Sequence, residues 1–335
     1  MTETMLAGRM NYDTKTFEVK RISVPIAGVG QIRVRIKAAG VCLSDVHLID
    51  GSLGVPTDGE VTLGHEVAGE VDQVGEGVDE ITIGTRVILN AGRTVDGRLE
   101  TLGVDYDGGW AEYIVTDIAG VLPIPDSLPF KQAAVIPDAV STPWGAIEWT
   151  GNVQAAEAAG VWGIGGLGAH AVQLLRLVGA SPIVAIDPSE TARQRALQLG
   201  ADLALDPSDL RFGEQIETLT NGEGLAVAFD FAGVASARRQ AIKSLGFGGR
   251  LVVVGMDGGP IVIENDLDFH FTRRQVLGHY GYESRHIQQL VQLVDRGRVD
   301  LTDSVSLELP LSEAADAVKL LQQQPGHHTR IVLVP

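Results

Sequence analysis

The single cysteine of this 335-residue chain, Cys42, stands in the segment GVCLSDVH, and farther on GHE (Gly64–Glu66) supplies His65. A thiolate and a neutral imidazole are donors that zinc accepts readily. A lone cysteine otherwise serves as a small apolar core residue, so the neighbouring residues decide between the two readings. A second constellation is the run GIGGLG at Gly163, Gly165, Gly166, Leu167 and Gly168. It follows an apolar strand and opens the helical pattern AHAVQLLRLV, so its amides and the helix dipole can face a pyrophosphate. Asp187 ends the next strand, where a carboxylate can accept hydrogen bonds from both hydroxyls of an adenosine ribose. An acid there repels a 2′-phosphate, and neither Ser189 nor Thr191 is accompanied by the early arginine that a phosphate requires. NAD is therefore the expected cofactor, with Arg193 close enough to keep NADP open. The alternative gives the glycines only a tight turn and Asp187 only a cap.

These residues need elements to hold them. The first 140 or so residues read as short strands and turns: QIRVRIKAAGV and EVAGEVDQVG alternate, and TRVILN follows a glycine turn. The pattern predicts an antiparallel, barrel-like half. From about Ser141 the rhythm becomes strand, helix, strand, the signature of a doubly wound parallel sheet of α/β class. Strands are expected at Gly160 to Gly163, Ile183 to Ile186, Leu203 to Leu205, Ala226 to Phe229, Leu251 to Val254 and Val276 to His279. An amphipathic helix, HIQQLVQLVDRGRV, then SLELPLSEAADAVKLLQQQ and the strand RIVLV return the chain to the first half. The predicted organisation is a discontinuous domain of residues 1–140 and 282–335 around a dinucleotide domain of 141–281.

Composition narrows the partners. The net charge of -17 and pI near 4.8, without clustered Lys and Arg, disfavour nucleic acid. One cysteine forms no intramolecular disulfide. MTETMLAGRM lacks a basic segment followed by an apolar run, so no secretory signal is read and a cytoplasmic location is expected. The uncharged stretch from Ala158 to Leu175 holds five glycines, His170 and Gln173, and reads as a nucleotide-binding turn rather than a membrane span.

With GVCLSDVH, LGHEVAGEV, GTRV, DGGWAEY, IPDAVSTPWGA, GIGGLG with Asp187, and TRIVLV in this order, the chain resembles the zinc-dependent alcohol dehydrogenase branch of the medium-chain dehydrogenase/reductase superfamily over nearly its whole length. The resemblance implies a GroES-like, mainly β catalytic domain beside a Rossmann domain, and reversible hydride transfer between an alcohol and NAD. It makes Cys42, His65 and Asp138 ligands of one catalytic zinc, Asp138 falling where many relatives have a second cysteine. Thiolate, imidazole and carboxylate still bring two negative charges to the metal and leave a fourth position open. Glu66 resembles the residue that approaches the zinc and assists ligand exchange, or else is a buried acid paired to a base. Asp45 resembles the acid that orients the ligand histidine. Ser44 and His47 match a proton relay, with an ordinary surface histidine as the alternative for His47. Thr142 resembles the residue packed on the nicotinamide, and Val254 with Gly255 the strand end that meets its carboxamide. Arg330 matches a pyrophosphate contact, or is a surface charge.

The chain departs from that pattern at two places. Between GTRV and DGGWAEY, relatives often carry four cysteines around a structural zinc, whereas ILNAGRTVDGRLETLGVDY has none, and no such zinc is expected. Leu43 stands where a relative can have a phosphate-binding arginine. A substrate pocket is expected to be lined by Trp110, Trp144 and the stretch after Leu48, suiting secondary or aryl alcohols and ketones. Trp144 serves equally as core. A homodimer or homotetramer is the family expectation. The competing function is a zinc-free quinone or enone reductase of the same superfamily.

Overall fold

The computed structural model describes residues 3–53, 59–256, 258–324 and 326–335. In chain order its elements are β1 (Thr4–Asn11), β2 (Thr16–Ser23), β3 (Gln31–Val41), α1 (Leu43–Asp50), β4 (Glu60–Thr62), β5 (Val67–Val74), β6 (Arg86–Leu89), β7 (Gly92–Val95), β8 (Arg98–Thr101), β9 (Tyr113–Asp117), β10 (Val121–Pro123), α2 (Phe130–Ala134) and α3 (Ser141–Gly145). There follow β11 (Ala159–Trp162), α4 (Gly166–Val178), β12 (Ile183–Ile186), α5 (Glu190–Gln198), β13 (Leu203–Leu205), α6 (Phe212–Leu219), β14 (Leu225–Asp230), α7 (Ala235–Ser244), β15 (Leu245–Val253), α8 (Asp266–Phe271) and β16 (Gln275–Gly278). The chain closes with α9 (Ser284–Asp295), β17 (Leu307–Pro310), α10 (Ala314–Gln323) and β18 (Ile331–Val334). Two compact units emerge: residues 1–139, 284–324 and 330–335 form the first, and 140–283 with 325–329 the second.

In the first unit β3 organises the main sheet, whose order is β10-β6-β5-β3-β18-β17, with β9 also on β3. Its sequence explains this. Ile32, Val34 and Ile36 alternate inward, and Ala38 to Val41 are buried throughout, so small side chains let several strands close on one end. β18 pairs antiparallel with β3 in the register Ile331↔Val41, which sets Arg330 across from Cys42. α1 starts at Leu43 with Cys42 as its N-cap and ends on Gly51 in the left-handed region, φ 78°. A smaller sheet, β2-β1-β4, packs the amino terminus. The segment that lacks the four cysteines is a β7–β8 hairpin, with the Arg93 guanidinium 3.7 Å from the Tyr106 ring centroid and ion-paired to Glu100.

The second unit is a six-stranded sheet in the order β13-β12-β11-β14-β15-β16, parallel at every pairing. β11 and β12 are buried at all four positions, as a sheet covered on both faces requires. The six expected strands are all present, most shifted at their ends by one or two residues. β15 starts earlier, at Leu245, which pairs with Leu225 before an irregularity that takes up the glycine-rich run to Arg250. The stretch from Ala158 to Leu175 is β11, the glycine turn and most of α4. Among the described residues no helix is long and apolar enough to cross a membrane.

Candidate metal and cofactor sites

At the end of β3, in the first unit, the chain turns through Cys42 into α1. Asp45, at the third helical position, accepts the Cys42 N–H at 2.8 Å through Oδ2 and turns Oδ1 toward His65 Nδ1 at 3.3 Å. Asp45 is fully buried. The 3.3 Å approach is an electrostatic contact, not an aligned hydrogen bond, since neither atom has a hydrogen-bond partner. It nevertheless points the other imidazole nitrogen, Nε2, toward Asp138. Asp138 comes from a π-helical turn, Ile136–Val140, that follows α2. Its Oδ2 lies 3.3 Å from Cys42 Sγ and 3.6 Å from His65 Nε2. The three donors lie within 4.8 Å of one another.

These residues fit a metal. A tetrahedral zinc with bonds of about 2.0–2.3 Å sets its donors about 3.3–3.8 Å apart, and the spacings of Asp138 from Cys42 and His65, 3.3 and 3.6 Å, match it. Asp45 behind the imidazole fixes the tautomer that leaves Nε2 free to bind. Burial alone lowers the basicity of His65, but the charge of Asp45 and the contacts with Asp138 and Cys42 outweigh it and hold the imidazole well above its usual pKa. A divalent cation satisfies the same group of anions.

Arg330 is neither exposed nor a surface charge. It is 4% exposed, and its Nη2 donates to Glu66 Oε1 at 2.6 Å and to Asp138 Oδ2 at 3.2 Å. Glu66 Oε1 also accepts the Ala139 N–H at 3.1 Å, so the acid holds the backbone beside Asp138, while its Oε2 has no hydrogen-bond partner. Gly40 makes room for this carboxylate, because a Cβ there would overlap it. Burial pushes the Glu66 carboxyl up to about 8 even against the opposing charge of Arg330. Glu66 is thus an acid paired to a buried base and also a neighbour of the three donors.

Ser44 Oγ is 3.5 Å from His65 Nε2, at the mouth of the donor group. His47 lies one helical turn on, partly exposed, with Nδ1 2.9 Å from Ser52 Oγ and 3.9 Å from Asp50. Leu43, at the start of α1, is exposed. Trp110 overturns the expectation that it lines a pocket: it is fully buried, its Nε1 donates to Gly40 O at 3.0 Å, and it meets Phe17 edge-on. Its indole lies against Gly64, whose φ of +95° admits no Cβ there. The ring is a core prop behind His65. Residues 54–58, part of the stretch after Leu48, lie outside the described residues. Trp144 is buried on α3.

The second unit holds the glycine turn, and each of three glycines has its own physical reason. Gly163 adopts φ +86° for the tight turn, a Cβ on Gly165 would meet open space, and a Cβ on Gly168 would strike the Gly163 carbonyl. Those are the demands of a turn, of a backbone left open to a pyrophosphate, and of close helix–strand packing. Gly166 and Leu167 open α4, whose N-cap is Gly165. Asp187 Oδ2 accepts the Ile164 N–H and Oδ1 the Ser189 N–H, each at 2.8 Å, so the acid at the end of β12 is tied to the turn. Val254 and Gly255 both donate backbone N–H groups to Asp230 O, at 3.0 and 2.8 Å. Thr142, on α3, is buried, and its carbonyl lies 3.1 Å from His279 Nε2.

Sequence reasoning passed over the buried pair Asp230–Arg238. Asp230 ends β14, beside the point where strand order reverses, and accepts the Ala232 and Gly233 N–H groups and Arg238 Nε at 2.9–3.0 Å. Arg238 Nη2 reaches Gly233 O and Gly255 O. The run DFAG directly after an apolar strand was the available signal. Arg195 was also missed, and it ties the glycine turn to residues 326 and 327.

The comparisons agree with this geometry. Residues 166–296 match the family model described as zinc-binding dehydrogenase, and residues 28–126 the alcohol dehydrogenase GroES-like domain. An alcohol dehydrogenase of Geobacillus stearothermophilus is 32% identical over 85% of this chain and 87% of its own length. The (R,R)-butanediol dehydrogenase of Bacillus subtilis (strain 168) is 31% identical over 81% of this chain and 83% of its own. A putative zinc-binding dehydrogenase from Sinorhizobium meliloti 1021, solved bound to NADP, superposes with a TM-score of 0.89 at 26% identity, covering 99% of this chain and 100% of that one. The chain belongs to the zinc-dependent alcohol dehydrogenase branch of the medium-chain dehydrogenase/reductase superfamily, whose members act on CH–OH groups with a nicotinamide cofactor.

Proposed function

We propose that the protein interconverts an alcohol, secondary or aryl, and its carbonyl compound, with NAD as the hydride partner and one zinc held by Cys42, His65 and Asp138. The observation that carries this reading is the approach of those three donors with Asp45 behind the imidazole. Zinc held by these residues would supply a Lewis acid that lowers the pKa of an alcohol hydroxyl, and NAD held at the glycine turn and Asp187 would supply the hydride acceptor. Ser44 Oγ, beside the donors, accepts the hydroxyl proton while giving up its own. His47, one turn away and open to water, takes up the proton so released and passes it to solvent. Asp45 keeps His65 in one tautomer, and the Arg330–Glu66 pair keeps Asp138 turned toward the other donors.

NAD is favoured over NADP because Asp187 presents a carboxylate at the end of β12 while the nearby arginines are already engaged. Arg193 donates to Asp187 O, Pro188 O, Asp206 and Glu190, and Arg195 to three backbone carbonyls. The protein is read as a cytoplasmic homodimer or homotetramer, on family expectation alone. The test is elemental analysis beside NADH formation with primary, secondary and aryl alcohols. The expected result is about one zinc per chain and turnover of secondary or aryl alcohols, both lost in Asp138→Ala. Full zinc and activity in that variant would remove Asp138 from the ligand set, and quinone or enone reduction without zinc would replace the whole reading.

A further inference from the structure

Residues 326–329, GHHT, belong to the second unit, whereas the chain up to Gln324 and from Arg330 on belongs to the first. Gly326 has φ +76°, and a Cβ built on it would stand 3.3 Å from Ser189 Cβ and 3.6 Å from Asp187 Oδ1. The segment therefore lies against the acid and Ser189, at about van der Waals contact. Arg195 fastens it. Its Nη2 donates to Gly326 O at 3.1 Å and also to Ile164 O, and its Nη1 donates to His327 O at 3.2 Å. Ile164 lies inside the glycine turn and gives its own N–H to Asp187. Turn, acid and segment form one closed network with the half-buried Arg195 guanidinium at its centre.

We infer that residues 326–329 are a cofactor-selecting strap. Fastened by Arg195, they wall in the adenosine ribose beside Asp187, hold NAD(H) against the acid, and leave neither space nor a disengaged guanidinium for a 2′-phosphate. Arg195 is thus a positioning residue for cofactor choice, acting through the strap and not through contact with the dinucleotide. The inference rests on the dinucleotide reading above and adds what selects between the two dinucleotides.

The test follows NADH and NADPH binding to the zinc-loaded full-length protein by nicotinamide fluorescence, with thermal unfolding on the same samples. It compares the unaltered protein, Arg195→Met, and a variant with two glycines inserted between Gly326 and His327. The unaltered protein is expected to prefer NADH by about 100-fold or more; both variants are expected to bind NADH about tenfold more weakly and to keep a preference below about tenfold. The insertion leaves Arg195 in place, so it decides the matter if Arg195→Met fails to fold. Folded variants that retain the original NADH affinity and preference would overturn the strap. Equal binding of NADPH and NADH by the unaltered protein would overturn it while leaving a dehydrogenase. Binding of neither would overturn the dinucleotide reading and the strap together.

Discussion

Arg238→Met removes the guanidinium paired with buried Asp230 and, with it, the donor to Gly233 O and Gly255 O. Stripping one partner from a buried ion pair costs about 3–5 kcal/mol. Asp230 keeps the Ala232 and Gly233 N–H groups, so the lower end, about 3 kcal/mol at pH 8, is the expected loss. The loss depends on pH, with a definite sign. Burial already holds the Asp230 carboxyl above its usual range against the two N–H groups and Arg238, and deleting the guanidinium raises it further. Between the unfolded and folded pKa values the folded state then binds a proton that the unfolded chain does not, so stability falls as pH rises, by at most about 1.4 kcal/mol per unit. Urea unfolding of the variant against the unaltered protein should therefore show a deficit of about 3 kcal/mol at pH 8 and about half that at pH 5. Because Gly255 loses its tether, KM for NAD should rise as well. A deficit under about 1 kcal/mol, or one equal at both pH values, would refute the assignment of Asp230 as an ionised carboxylate neutralised by Arg238.

Gly168→Ala forces a methyl onto the Gly163 carbonyl; dinucleotide affinity should fall by at least about tenfold while zinc content stays unchanged, as titration with NADH would reveal. His47→Gln keeps the Ser52 neighbour but ends proton transfer at the helix surface, so kcat should fall about tenfold with little change in KM, and an unchanged pH–rate profile would take His47 out of the relay. Chelator treatment should lower the unfolding temperature of the unaltered protein by several degrees, since a ligand that binds only the folded state stabilises it by RT ln(1 + [L]/Kd). The same treatment of Asp138→Ala should change nothing, and an equal drop in both would place the lost metal elsewhere.

Much of the scaffold was legible because its signals are local. The period-2 alternation of β3 and β5, the apolar runs of β11 and β12, and a glycine turn closed by an acid each depend on residues close in sequence. What escaped depends on pairing across the chain. Arg330 reads as a surface charge or a phosphate contact until β18 is laid against β3, when the register sets it across from Cys42. Trp110 reads as an aromatic pocket wall until the left-handed turn at Gly64 gives its indole a seat in the core. The π-helical turn that carries Asp138 has no pattern of its own in IPDAVSTPWGA, and the fastening of residues 326 and 327 by Arg195 bridges more than 130 positions.

The charge placed around Cys42 argues for a cation independently of any resemblance. The first unit gathers a thiol and three carboxyl groups, Cys42, Asp45, Glu66 and Asp138, in a buried pocket whose one guanidinium is Arg330. An apolar core would not accept that set, because each uncompensated buried anion costs several kcal/mol. Arg330 answers one of them by bridging Glu66 and Asp138, and His65, drawn toward its charged form by Asp45, answers another. With Glu66 counted as neutral, because burial pushes its carboxyl up to about 8, the balance that remains calls for about two positive charges beside the thiol once both the imidazole and the thiolate act as donors. A divalent ion between Cys42, His65 and Asp138 meets that demand and leaves one coordination position open. A carboxylate in place of a second thiolate lets Arg330 share this group, since its Nη2 donates to the Asp138 oxygen that faces Cys42 and His65. The guanidinium that steadies the carboxylate would also draw electron density from it, so a metal held by these residues would be more electrophilic toward an alcohol oxygen than two thiolates would make it.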